Sequence, residues 1–166
     1  MARLVLVGLP GVGKSTLAAA LANHWRCGSL DTDDLIAQNA GMSPAHLLRE
    51  QGEKIFRQRE FDALREALES DGVVATGAGV VTTSDARDLL EKSFAVWLDC
   101  DDETLLTRVS DGERPLLGDD HRLGLAKLRV EREAWYKSVA RVRVDASGSI
   151  DEVMQRVFTQ IEKVAP

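Results

Sequence analysis

Leu4-Val5-Leu6-Val7-Gly8-Leu9-Pro10-Gly11-Val12-Gly13-Lys14-Ser15 runs from an unbroken apolar tetrapeptide directly into the pattern G-x-x-x-x-G-K-[ST]. Four apolar residues without alternation describe a strand buried on both faces, as in a parallel sheet. In such a pattern the glycines let backbone N–H groups approach phosphate oxygens. The lysine reaches the β- and γ-phosphates and the serine hydroxyl ligates Mg²⁺. The following Thr16-Leu17-Ala18-Ala19-Ala20-Leu21-Ala22 is rich in strong helix formers, which aim a helix N-terminus at the same phosphates. Strand, loop and helix together imply nucleotide binding and leave the phosphoryl acceptor open.

Outward from this stretch, apolar runs alternate with segments of helical period. Strands are expected at Leu4–Val7, ending at Leu30, at Val73–Ala75, at Phe94–Leu98 and at Arg141–Val144. Helices are expected at Lys14–Trp25, Asp33–Gln38, Glu53–Glu69, Ser84–Glu91, Asp101–Val109, Leu123–Ala140 and Ile150–Val164. A further helix opens at Ser43-Pro44 with Ser as N-cap and Pro at the first helical position. In the long stretch 53–69, Ile55, Phe56, Leu64 and Leu68 are available for one buried side. Alternating strands and helices predict an α/β fold with a parallel sheet and right-handed crossovers. Ligands of such sheets lie beyond the carboxyl ends of the strands, so loops 8–15, 31–34, 76–80 and 110–121 should share one rim.

With 166 residues, the chain has room for one domain with a real core and not for two ordinary ones. A net charge of −6 argues against a broad nucleic-acid or anionic-membrane surface. No apolar run approaches the roughly 18 residues needed to cross a bilayer, and no secretory signal precedes the first strand. A cytoplasmic, monomeric protein acting on a small molecule is expected. Cys27 and Cys100 form no CxxC pair and read as two buried thiols in a reducing compartment. His24, His46 and His121 lack metal-ligand spacing, with His24 and His46 expected on helix surfaces.

The rim residues carry competing readings. Asp31-Thr32-Asp33-Asp34 could support Mg²⁺ through water and accept a proton from a hydroxyl, or could simply cap a helix. Capping explains one aspartate well and three less well. Arg57 and Glu60 lie at i, i+3, as a plain solvated helix face would also place them. Thr76-Gly77-Ala78-Gly79 could turn its N–H groups to a polar substrate or serve as a tight strand-to-helix turn. Arg114-Pro115-Leu116-Leu117, flanked by Gly112 and Gly118, could close over a triphosphate or form an ordinary surface loop. Arg132 on the long helix could fork onto a carboxylate, or pair at the surface with Glu131 or Glu133.

Assembled in order, these residues resemble the shikimate kinases, small kinases that phosphorylate a ring hydroxyl of shikimate with ATP. The resemblance runs from about Leu4 to Val144. It comprises Gly-Leu-Pro-Gly-Val-Gly-Lys-Ser-Thr at 8–16, Asp-Thr-Asp at 31–33 and Gly-Glu-x-x-Phe-Arg-x-x-Glu at 52–60. Arg-Pro-Leu-Leu at 114–117 and Arg-x-x-x-Tyr-x-x-x-Ala at 132–140 complete it. It implies a P-loop NTPase-like three-layer sandwich with a five-stranded parallel sheet, similar to the nucleoside monophosphate kinases. A substrate-binding helical segment at about 32–62 and a lid at about 110–121 belong to that arrangement.

The resemblance also implies roles. Gly11, Val12, Gly13, Lys14, Ser15 and Thr16 hold ATP and Mg²⁺, with Asp31 supporting the metal through water. Asp33 binds the acceptor hydroxyls and orients or deprotonates the attacking one. Arg57 and Arg132 clamp the shikimate carboxylate, Gly77, Ala78 and Gly79 line its pocket, and Arg114 reaches in from the lid. Arg108 corresponds to the family's arginine near the adenine, with local spacing off by one, and 145–149 borders the same ring. The family has three consecutive glycines where this chain has Gly77-Ala78-Gly79. A positive φ at Ala78 would cost roughly 1–2 kcal/mol, whereas a negative φ only adds a methyl. Trp135 is a milder departure. The rival readings are another P-loop kinase for a sugar acid, such as a gluconate-type enzyme, and a nucleotide-binding homologue that has lost catalysis.

Overall fold

The computed structural model describes residues 2–109 and 117–164. In chain order the elements are β1 (Leu4–Val7), α1 (Lys14–Trp25), β2 (Ser29–Asp31), α2 (Thr32–Ala40), α3 (Pro44–Leu68) and β3 (Val73–Ala75). A 3₁₀ turn (Val80–Thr82) then precedes α4 (Ser84–Glu91), β4 (Ala95–Asp99), α5 (Asp102–Val109), α6 (His121–Val139), β5 (Val142–Asp145) and α7 (Ile150–Val164). The strands form one parallel sheet in the order β2-β3-β1-β4-β5. Helix α1 packs on α7, while α6 packs on α4 and α5. Both faces of the sheet are thus covered, as a parallel sheet requires.

Composition follows position in the sheet. The inner strands β3, β1 and β4 are buried at every residue, whereas the edge strands β2 and β5 are partly exposed and carry Ser29, Asp31, Arg143 and Asp145. The chain leaves β1 for β2, returns to β3 beside β1, and only then crosses to β4. The crevice where that direction reverses opens at the carboxyl end of β1, where the glycine-rich loop begins. The register aligns the other loops with it. Asp31 pairs level with Ala75, and Val7 with Trp97.

Several boundaries differ from the sequence reading by one or two residues. A larger difference lies in α3, which joins the expected helix at Ser43-Pro44 to the expected stretch 53–69. The join is a kink at Gly52, whose φ of 80° and ψ of 169° are open to glycine alone. After the kink the buried stripe is Phe56, Glu60, Ala63, Leu64 and Ala67. Ile55 falls one position off it and is 43% exposed, against expectation. Cys100 is buried as expected, but Cys27, in the turn after α1, is only half-buried. His24 and His46 are exposed on helices, as expected. Among the described residues no helix is long and apolar enough to cross a membrane.

Helix α6 is bolted to the sheet by charge. Arg129 donates to the carboxylates of Asp99 and Asp102, each at 2.8 Å, and to the carbonyl of Cys100 at 2.6 Å. Arg143 reaches the other oxygen of Asp99 at 2.6 Å. Asp99 is 5% exposed, so its charge is shared between two guanidinium groups rather than left unpaired.

At Gly8 the chain turns from β1 into the loop against β4. A Cβ there would stand 2.4 Å from the Leu98 carbonyl oxygen, and φ is +150°. Gly8→Ala should therefore cost at least about 2 kcal/mol, read as a lower urea midpoint. An unchanged midpoint would contradict this packing.

Candidate active site

The loop after β1 forms a cradle. Gly11 and Gly13 take φ values of 79° and 99°, turning successive N–H groups inward as an anion-binding nest needs. No side chain caps the start of α1 and its first turn holds no acidic residue, so its partial positive charge faces the cradle undiminished. Lys14 curls over the loop, its Nζ donating to the carbonyls of Gly8 and Leu9 at 2.9 and 3.0 Å. Val12 is buried, while Ser15 and Thr16 lie at the cavity surface.

Asp31 caps α2, as one of its two readings expects, and makes a second contact as well. Its Oδ1 accepts the N–H of Asp33 at 2.9 Å, which caps α2, and its Oδ2 accepts the Ser15 hydroxyl at 2.5 Å. One carboxylate thus ties the end of β2 to the first turn of α1. A hydroxyl and a carboxylate side by side at a phosphate cradle are oxygen donors suited to Mg²⁺, so the residues present fit that ion. Among the described residues, groups of three or more His, Cys, Asp and Glu able to hold a metal by themselves are absent.

A cavity of about 610 Å³ runs from this cradle in two directions. One end is lined by Arg108, Ala146, Gly148, Ile150 and Val153. There the Arg108 fork bridges the Val12 carbonyl at 3.3 Å and the Ala146 carbonyl at 3.0 Å, joining the cradle to the segment after β5. The other end is lined by Asp33, Phe56, Glu60, Gly77, Ala78 and Gly79. Leu117, where the described chain resumes, also lines the cavity. Arg114 and most of the expected lid lie outside the described residues.

The second end brings together most of the expected acceptor residues. Cβ atoms built on the glycines measure how tightly. On Gly77 one would stand 2.9 Å from Asp33 Oδ1 and 3.0 Å from Glu60 Oε1. On Gly79 it would overlap Arg57 Nη1 and lie 3.1 Å from Glu60 Oε1. Arg57 donates to Glu60 at 2.5 Å and to Glu53 at 3.2 Å. Arg132 is 2% exposed, yet its Nε donates to the partly exposed Glu131 at 3.4 Å, so a buried guanidinium also makes the ion pair with Glu131 that the sequence allows. Neither guanidinium group lines the cavity itself; Arg57 lies against Gly79 and Glu60, which do, and Arg132 is near enough for its charge to act on Glu60. Arg57 Nε and Arg132 Nη1 are buried there without a hydrogen-bond partner among the described residues, a costly arrangement for cationic donors.

The sequence reading names Glu60 beside Arg57 and in the motif at 52–60 but gives it no role. It is 4% exposed, and burial pushes its pKa above the usual carboxylate range; Arg57 opposes the rise and the Asp33 charge adds to it. The available signal was a carboxylate on an apolar stripe, four residues after Phe56. The loop itself differs from expectation in one respect. The Gly77 N–H does not turn to the cavity but donates to the buried Thr32 hydroxyl at 2.9 Å. Ala78 has no positive φ, since Arg26 is the sole described non-glycine residue that does. Its methyl adds bulk to the cavity wall without backbone strain.

The comparisons with known proteins point to one family. The family model described as "Shikimate kinase" matches residues 10–162. A shikimate kinase of Corynebacterium jeikeium is 37% identical over 161 residues, covering 96% of this chain and 85% of that protein. The solved shikimate kinase of Acinetobacter baumannii, in complex with shikimate, superimposes with a TM-score of 0.90 at 26% identity, covering 100% of this chain and 97% of that one. A gluconokinase of Sinorhizobium meliloti gives a TM-score of 0.58 at 14% identity, covering 99% of this chain and 93% of that one. That likeness concerns the fold alone.

The packing at Gly79 yields a direct test. Its backbone is right-handed helical (φ −85°), so Gly79→Ala strains nothing locally and acts by displacing the Arg57 guanidinium. The acceptor KM should rise about tenfold or more, with the ATP KM and melting temperature nearly unchanged. An unaltered acceptor KM would mean that the Arg57 position is immaterial. By family model, curated relatives and solved structures alike, the chain belongs to the shikimate kinase family of ATP-dependent phosphotransferases.

Proposed function

We propose that the 610 Å³ cavity transfers the γ-phosphoryl group of ATP to a ring hydroxyl of shikimate, giving shikimate 3-phosphate and ADP. The observation that carries this reading is the continuity of the cavity, with the cradle at its centre and Asp33, Glu60 and loop 77–79 at one end. In this reading Gly11, Val12, Gly13, Lys14, Ser15 and Thr16 hold the triphosphate, and Arg108 with 145–149 borders the adenine. Ser15 and, through water, Asp31 would hold Mg²⁺, which supplies charge neutralisation on the phosphates when bound.

At the acceptor end, Asp33 aims the attacking hydroxyl and takes its proton. The new O–P bond forms in line as the bond from the γ-phosphorus to the ADP oxygen breaks. Lys14, and Arg114 from the lid segment 110–121, offset the charge spread over the transferring group. Arg57 and Arg132 grip the acceptor carboxylate, which requires them to turn from Glu60 and Glu131 toward the cavity. Their unsatisfied Nε and Nη1 atoms support that assignment, because a carboxylate would pair them. The segment 32–62, bent at Gly52, carries Asp33, Arg57 and Glu60 as the acceptor-binding part of a single domain.

Release of ADP, measured over shikimate, quinate, gluconate and nucleoside monophosphates, tests the reading. Turnover with shikimate well above the others is expected. Preference for gluconate would favour the sugar-acid kinase, and ADP release with none of them would favour a homologue without catalysis. Lys14→Ala should lower kcat/KM by at least about 100-fold while the fold survives; near-normal turnover would refute its role. Arg132→Ala should raise the acceptor KM more than the ATP KM, and an unchanged acceptor KM would remove it from the carboxylate grip.

A further inference from the structure

Arg132 is not the sole link between α6 and the acceptor end. Tyr136, one turn further along the same face, points its hydroxyl at loop 77–79 and donates to the carbonyl of Ala78 at 2.6 Å. Its ring is 1% exposed and stacks on Trp97 of β4 with centroids 6.2 Å apart. The donor therefore stands on a platform fixed to the sheet. Burial pushes the hydroxyl pKa upward, opposed by the adjacent Arg132 charge, so the proton stays on oxygen at every physiological pH. A second tie reaches the same strip of backbone from α4, over a ring of α6. The Arg87 guanidinium lies over the Trp135 ring, 5.0 Å from its centroid, and donates to the Val81 carbonyl at 2.6 Å. Tyr136 of α6 and Arg87 of α4, the latter lying over Trp135 of α6, thus hold the two ends of segment 78–81.

We propose that Tyr136 is a positioning residue for the acceptor, its bond to the Ala78 carbonyl holding loop 77–79 in register with Arg132. The loop and the guanidinium then meet the acceptor as one unit, although of these only the loop lines the cavity. This also gives the non-glycine residue at 78 a physical setting. What the tether uses is the carbonyl, which any residue supplies, and the tether keeps Ala78 in a conformation that an L-residue tolerates.

The test separates positioning from bulk stability. Tyr136→Phe keeps the ring and its stacking and removes only the donor. The acceptor KM should rise about fivefold, the scale of one hydrogen bond, with the ATP KM within about twofold. A merely structural role would lower the melting temperature and the active fraction and leave the KM values unchanged or shifted together, which would overturn the proposal. Tyr136 is the only tyrosine of the chain, so replacing tyrosine by a ring-fluorinated analogue places one fluorine nucleus at this site even if the phenylalanine variant fails to fold. Its NMR resonance should move on adding shikimate and stay in place on adding ADP alone. A resonance indifferent to shikimate would refute the coupling. The inference rests on the acceptor reading above. If that reading fails, the parent protein shows no shikimate-dependent turnover; if only this inference fails, the parent turns over and Tyr136→Phe matches it.

Discussion

The reacting groups can meet because five strands run in the same direction, so every loop that follows a strand opens on one rim. The parallel register levels Asp31 with Ala75 and Val7 with Trp97, which sets the ends of β2, β3, β1 and β4 side by side. Such a sheet must be buried on both faces. The inner strands accordingly contain almost nothing but apolar side chains, and polar chemistry is pushed to their ends. The cradle is the extreme case: four buried apolar residues, then a backbone turned outward with α1 behind it.

Within that frame the acceptor end is an electrostatic problem. Two buried guanidinium groups, Arg57 and Arg132, need a counter-charge, and Glu60 supplies one at the cost of its own desolvation. Removing one partner from such a set leaves a buried charge uncompensated, which is more damaging than the pair is stabilising. In the proposed reading, a carboxylate entering beside Glu60 would meet cationic donors already desolvated, which turn from Glu60 and Glu131 to grip it. Glycines at 77 and 79 permit this crowding. A side chain at 79 would occupy the space of the Arg57 fork.

How much of this was legible in the sequence depended on how local the signal was. The cradle, the order of strands and helices, and the bounds of α1, α4 and α7 follow from patterns a few residues long: an apolar run, a glycine-lysine loop, an N-cap. Asp31 was readable as a rim residue because it ends a strand, although the sequence could not tell that it would cap α2 and bind Ser15 together. The continuity of α3 was not legible, since Gly52 reads as a break and acts as a kink. Glu60 and Tyr136 were visible as motif residues, but their roles were not, because those roles come from what crosses over them in space. Burial of a carboxylate and a hydroxyl aimed at a backbone carbonyl 58 residues away leave no periodic trace. Ala78 could be read as a departure, but its backbone conformation could be settled only by the fold.

The most direct measurement is a crystal structure of the chain with ADP, Mg²⁺ and shikimate. The account predicts the nucleotide phosphates on residues 8–16, the shikimate carboxylate forked between Arg57 and Arg132, and one ring hydroxyl within hydrogen-bond reach of Asp33, facing the phosphates. Shikimate bound elsewhere, or seated with its carboxylate away from both arginines, would contradict it.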